Sequence, residues 1–217
     1  MIPSAISTWL DTQGIASLRP SQKKSVKKGL FEGKNLLVCT PTASGKTLVG
    51  EMAMRHTPGT SVYIVPLKAL ASEKYHDFKE NHPQEDVRLA TGDADESVSR
   101  YRNASILITT SEKLDSLLRH DTDWIQGVGC VVVDEIHLLN DPHRGPTLEV
   151  VLTLLQRLSS AQIIGLSATI GNPEELAGWL NAELVEDSWR PVTLHEGTYR
   201  DGKIRFYDKE KSTNTGK

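Results

Sequence analysis

Short apolar runs bounded by turn residues recur along the chain, at residues 35–39, 61–65, 87–90, 106–110, 130–133 and 163–166. Each is rich in Val, Ile or Leu, and none alternates cleanly with polar residues. Such runs suit strands buried on both faces. Between them the period lengthens to that of a helix. Residues 47–55 read as a helix entered from a glycine loop, and residues 67–78 set Leu70, Lys74 and Phe78 on one line. Ser111 is placed to cap "EKLDSLLRH", with Leu114, Leu117 and Leu118 turned inward. Residues 146–158 carry Leu148, Val151, Leu152 and Leu155 on one stripe. "NPEELAGWL" opens with Asn172 as cap and Pro173 at the first helical position.

Strand then helix, repeated, predicts an α/β fold: a mostly parallel sheet with helices on both faces. The segment "PVTLHEGTYRDGKIRFYD" breaks that rhythm. It reads as two strands around Asp201-Gly202, a hairpin expected to leave the main sheet. The closing "KEKSTNTGK" is polar and expected to be mobile. No internal repeat is visible.

Composition narrows the class. A chain of 217 residues with 38% apolar and 24% charged positions has the make-up of one large soluble domain. No apolar run reaches the roughly 18 residues of a membrane span. "MIPSAISTWLDTQG" lacks the basic-then-apolar order of a secretory signal, so a cytoplasmic location is expected. The net charge of −3 gives no overall attraction to nucleic acid, so any such binding needs a local patch. Cys39 and Cys130 each lie in an apolar run and form no CxxC pair; they are expected to be small buried hydrophobes, and structural zinc is set aside.

Two places concentrate chemistry. In "TPTASGKT" a buried run precedes, and a helix follows, a turn with Gly45, Lys46 and Thr47. Such a turn offers backbone N–H groups to phosphates, a lysine charge to the outer phosphates, and a hydroxyl to Mg²⁺. The phosphate-loop pattern wants a glycine at position 40, where this chain has Thr40, and an S-G-K-T sequence alone also fits an ordinary turn. The second place is "CVVVDEIHLL", where Asp134 and Glu135 end a strongly apolar run. Carboxyl ends of parallel strands face the ligand crevice. Asp134 there suits Mg²⁺ held through water, and Glu135 suits a base that orients and deprotonates water. Acids at a strand end also occur in plain solvated turns. The two places are expected to converge across neighbouring strand tips.

With these, other segments fall in a known order. "LRPSQ", "TPTASGKT", "PLKALASEKY", "TGD", "TTSEKLDSLL", "DEIH" and "SAT" resemble the successive motifs of superfamily-two helicases, from about Leu18 to Val192. The family often lacks the first loop glycine. "DEIHLLNDPHRGPTLE", "GLSATIGNPEELAGWL" and "WRPV" are similar to the Ski-like DExH group, and within it to the archaeal DNA helicases of stalled-fork repair. The resemblance implies a RecA-like P-loop domain over residues 1–190. Residues 191–217 would lead, as hairpin or linker, towards a second RecA-like domain. No Q-x-x-G-R-x-G-R occurs, so the arginine fingers of that second domain are missing and the chain alone is expected to be nearly inactive.

The resemblance further implies ATP and Mg²⁺ as cofactors and single-stranded or forked DNA as partner, with RNA or a nucleotide-free scaffold as alternatives. Gln22 would read adenine; Thr42, Ala43, Ser44, Gly45, Lys46 and Thr47 would cradle the phosphates. Thr47 and Asp134 would hold Mg²⁺. Lys46, Asp134, Glu135 and His137 would carry catalysis. Ser167, Ala168 and Thr169 would couple nucleotide state to the nucleic-acid face. Pro66, Lys68, Thr91, Gly92, Thr110, Ser111, Lys113 and Arg144 would meet phosphates of the strand. Lys23, Lys24, Lys27 and Lys28 are read as a solvated helical face rather than a DNA contact. His137, His143 and Asp141 do not have the spacing of a metal site. Trp124, Trp179 and Trp189 are read as packing residues.

Overall fold

A computed structural model describes residues 1–92, 98–193, 195 and 197–207. Asp93 of the "TGD" segment and the polar tail from 208 lie outside these residues. Seven strands form one parallel sheet: β1 (Asn35–Cys39), β2 (Thr60–Val65), β3 (Val87–Ala90), β4 (Ile106–Thr110), β5 (Val128–Val133), β6 (Gln162–Ser167) and β7 (Ala182–Glu186). Their order across the sheet is β3-β4-β2-β5-β6-β1-β7. Helices α1 (Ser4–Thr12), α2 (Pro20–Lys27), α3 (Thr47–His56), α4 (Lys68–Asn81), α5 (Ser111–His120), α6 (Gly145–Leu158) and α7 (Pro173–Trp179) complete the main body.

The unbroken apolar runs follow from helices on both faces. Successive side chains of a strand point to opposite sides. Leu37, Val62, Ile64, Val131 and Val133 enter one core with Leu114, Leu117, Leu118, Leu148, Val151, Leu152 and Leu155. Leu36, Val38, Tyr63, Val65, Cys130 and Val132 enter the other, with Ile6, Trp9, Val49, Met52 and Phe78. Neither face of a central strand meets water, so apolar residues dominate both, and the polar ones that remain, such as Thr109 and Gln162, are buried and hydrogen-bonded.

Three local expectations are corrected. Thr110, not Ser111, caps α5: its hydroxyl accepts the Lys113 N–H at 3.4 Å, and Ser111 is the first helical residue. Lys24 is not merely solvated. Its ammonium reaches the Glu186 carbonyl at 2.8 Å and the Asp187 carboxylate at 2.9 Å, while Lys28 lies 3.7 Å from Glu183. The run thus tethers the edge strand β7. Finally, β1 and β5 are not neighbours, because β6 runs between them and pairs with both.

Strands β8 (Gly197–Arg200) and β9 (Lys203–Phe206) form a separate antiparallel hairpin. Asp201 and Gly202 both have positive φ, 51° and 76°, the paired left-handed turn that suits strand twist. Tyr199 pairs with Ile204 and Gly197 with Phe206, which puts the three large apolar side chains on one face. The other face carries Thr198, Arg200, Lys203 and Arg205.

Candidate functional site

The loop leaving β1 is built by its own side chains. Thr40, standing where the pattern wants glycine, is fully buried, and its hydroxyl meets the Ser44 hydroxyl at 2.8 Å. Its N–H donates to the Ser167 carbonyl at 3.1 Å, tying the loop to the tip of β6. Ala43 and Gly45 have φ of 65° and 89°. Left-handed residues in a tight loop turn backbone N–H groups to a common side and form an anion-binding hollow. At φ 89° a side chain at Gly45 would be strained, and its Cβ would also press on Gln22 Nε2 at 2.7 Å, so glycine is favoured here. Outside the loop, Gln22 Nε2 donates to the Gly45 carbonyl at 2.8 Å and Arg19 NH1 to the Ala43 carbonyl at 2.9 Å. Thr42 and Ala43 are exposed, and Thr47 begins α3, so the loop passes directly into a helix N-terminus.

The carboxylates complete this hollow. Asp134 continues β5 by one residue, its N–H donating to the Ile64 carbonyl at 2.8 Å. Its two oxygens accept the Glu135 N–H and the Tyr63 hydroxyl, both at 3.1 Å. Burial, first, and the Glu135 charge, second, push the Asp134 carboxyl above its ordinary range; Lys46 and Tyr63 act against that. Tyr63, buried in β2 against Asp134, is held well above the usual phenol range, mainly by burial. Glu135 has φ of 52°, a left-handed conformation uncommon for a residue with a side chain. That twist aims it at Lys46, whose Nζ lies 3.1 Å from Glu135 Oε1. Glu135 Oε2 is 3.3 Å from His137 Nδ1, which is 3.4 Å from the Ser167 hydroxyl.

The sheet order explains why these four residues touch. Lys46 and Glu135 reach towards each other over the end of β6, and Ser167 is that end. Ala168 is half-buried and Thr169 exposed, directly beyond it.

Most of the residues expected at nucleic acid lie at or just past strand C-terminal ends, and Arg144 caps the start of α6. The Pro66 carbonyl after β2 accepts from Arg144 NH1 at 3.3 Å. Pro66, Ser111, Asp134 and Arg144 line one hollow. Lys68 is exposed at the start of α4, whereas Lys113 is buried. The Thr110 hydroxyl is engaged in its helix cap. Thr91 and Gly92 follow the edge strand β3, two strands from β2. Asp141 Oδ1 accepts the N–H groups of His143 and Arg144, each at 2.9 Å, which holds its pKa below the ordinary value. Trp124 is buried, while Trp179 and Trp189 are 38% and 37% exposed.

Sequence reasoning missed Tyr63, whose one legible signal is a phenol inside an otherwise apolar run. It also assigned no role to Arg19, although the guanidinium lies over the Trp189 ring, 5.6 Å from its centroid.

Residues 19–176 match the family model described as DEAD/DEAH box helicase. The chain is 53% identical over 211 residues to the ATP-dependent DNA helicase Hel308 of Methanocaldococcus jannaschii, covering 91% of this chain and 17% of that protein. It is 49% identical over 212 residues to Hel308 of Pyrococcus abyssi, covering 95% and 29%. Among solved structures, the Mycobacterium smegmatis helicase Lhr, bound to single-stranded DNA and AMP-PNP, superimposes with a TM-score of 0.70 at 31% identity, covering 84% of this chain and 27% of that one. The helicase MrfA gives the same TM-score at 26% identity, covering 86% and 33%. The shared fold is the RecA-like parallel sheet. The chain spans less than a third of the length of the curated relatives it matches.

Proposed function

The chain belongs to the DEAD/DEAH box helicase family, and we propose that it is the nucleotide-binding motor portion of an ATP-dependent DNA helicase. The 3.1 Å contact between Lys46 and Glu135 carries this reading. It sets a cation for the outer phosphates beside a carboxylate able to take a proton from water. The N–H groups of residues 42–47 receive phosphate oxygens. Lys46 then exchanges its carboxylate partner for phosphate, and Glu135 is released to orient and deprotonate water. Gln22 gives one amide N–H to Gly45 and keeps the second for adenine.

The donor set also suits Mg²⁺. Thr47 and Asp134 offer only oxygen, and burial and the neighbouring acid leave Asp134 in need of a cation. These two residues would hold the ion, which when bound offsets charge on the phosphates. His137, Ser167, Ala168 and Thr169 form the route from nucleotide to nucleic acid. Pro66, Lys68, Thr91, Gly92 and Arg144 contact phosphates of single-stranded or forked DNA, and Thr110, Ser111 and Lys113, whose side chains are buried, contribute through the N-terminus of α5. A second RecA-like domain in a longer polypeptide supplies the arginine fingers. Such arginines are worth ~10³–10⁵ in rate in related phosphoryl transfer, so this chain alone should turn over very slowly.

Calorimetric titration with Mg·ADP tests the site. The chain should bind, and Lys46→Ala should not. Equal affinity in both would remove the loop from the nucleotide site, and no binding by a folded chain would favour a nucleotide-free scaffold. Single-stranded DNA should outcompete RNA of the same sequence; the reverse order would make the substrate RNA.

A further inference from the structure

Arg19 stands at the N-cap of α2, and its backbone N–H and guanidinium make three contacts at once. Its N–H donates to Gln22 Oε1 at 2.8 Å. Its NH1 holds the Ala43 carbonyl at 2.9 Å, and its guanidinium covers Trp189 at 5.6 Å. Behind it, the Trp189 N–H donates to Asp187 Oδ1 at 2.7 Å. Asp187 is itself fixed, by Lys24 at 2.9 Å and by its own N–H on the Cys39 carbonyl at 3.4 Å. Trp189 is thus joined to the interior of the loop through the Arg19 side chain, and to the loop's entry at Cys39 through Asp187.

Peptide planarity gives this contact a purpose. The carbonyl of one residue and the N–H of the next point in opposite directions. Holding the Ala43 carbonyl outward turns the Ser44 N–H to the inner side of the loop, where it now closes on the Pro41 carbonyl at 3.2 Å. Ala43 is a non-glycine residue at φ 65°, a conformation that needs outside support. A phosphate that draws the Ser44 N–H off the Pro41 carbonyl would tilt the Ala43 peptide, and the carbonyl held by Arg19 would move with it. Arg19 then shifts over the Trp189 ring. Trp189, 37% exposed, has room to respond, and it leads into the segment before the hairpin.

We propose that Arg19 is a positioning residue for the phosphate loop, and that its stack on Trp189 transmits loop occupancy to the segment leading to β8. The transmission rests on the nucleotide reading above; the positioning does not. Two measurements separate them. Without nucleotide, amide hydrogen exchange at residues 43–46 should quicken roughly two- to fivefold in Arg19→Ala and in Trp189→Ala, the scale of an exposed cation–aromatic contact. Trp189→Phe, which keeps an aromatic face, should stay near the parent rate. Unchanged exchange in both alanine variants would overturn the positioning role.

With nucleotide, the chain labelled with 5-fluorotryptophan reports each indole separately by fluorine NMR, and Trp189→Phe identifies its resonance. Saturating Mg·ADP should move the Trp189 line in the parent and leave it in place in Arg19→Ala, with calorimetry confirming that both bind. An equal shift in both, or no shift in a saturated parent, would overturn the transmission. A parent that binds no nucleotide would instead sink the ATP-site reading, with the exchange experiment still deciding the role of Arg19.

Discussion

Asp134 is costly to the fold at neutral pH. A carboxyl that binds its proton more tightly when folded favours the folded state at low pH. That advantage disappears as pH rises through the ordinary value of 3.8 and on through the raised folded value. Above that window the ionised group opposes folding. Asp134→Asn should therefore raise the melting temperature at pH 7 in Mg²⁺-free buffer, with the gain shrinking as pH falls through the same window. A melting temperature at pH 7 equal to or below the parent's would show that the charge is already compensated. Thr40 gives the opposite case. Thr40→Val keeps the shape but leaves the buried Ser44 hydroxyl without its 2.8 Å partner. A loss of about 1–3 kcal/mol in denaturant unfolding is expected. Lys46, Asp134 and Glu135 were legible because each sits in a short local pattern. Tyr63 and Arg19 were not, because their partners lie 71 and 24 positions away and only the fold brings them near.

At the scale of elements, the buried strands announced themselves as apolar runs, and α5 and α6 as clean stripes. The edge strand β7 did not. Only Val185 in it is buried, and it is held largely by pairing with β1 and by tethers from α2. Helix α1 buries Ile6, Trp9 and Leu10, a helical spacing, but in only nine residues and with no side-chain cap to mark its start. Its signal is too short to stand apart from a loop. The order of strands was hidden as well, since no local pattern says that β6 runs between β1 and β5. Gly165 makes that placement testable. A methyl there would sit 2.9 Å from Ile136 Cδ1 and 3.1 Å from Leu37 Cδ1. Gly165→Ala should destabilise the fold by about 1–3 kcal/mol, read from chemical unfolding, as overpacked cores do. A neutral result would mean that the layer beside the tip of β6 has slack.

For the molecule as a whole, the two ends of the chain differ in kind. The main body fills both sides of its sheet. The hairpin leaves Tyr199, Ile204 and Phe206 at 72%, 61% and 61% exposure, on a ribbon too small to hold its shape by itself. In solution this makes the molecule adhesive at one extremity. Concentrated samples should scatter light, bind the dye ANS and smear on a sizing column, although the body remains fully folded. Replacing Tyr199, Ile204 and Phe206 together by threonine should sharply reduce the dye signal without moving the melting temperature. A drop in melting temperature would mean that the ribbon braces the body rather than trailing from it. Handling of this protein is thus governed by the small β8–β9 ribbon, a colloidal property set apart from the chemistry at the strand tips.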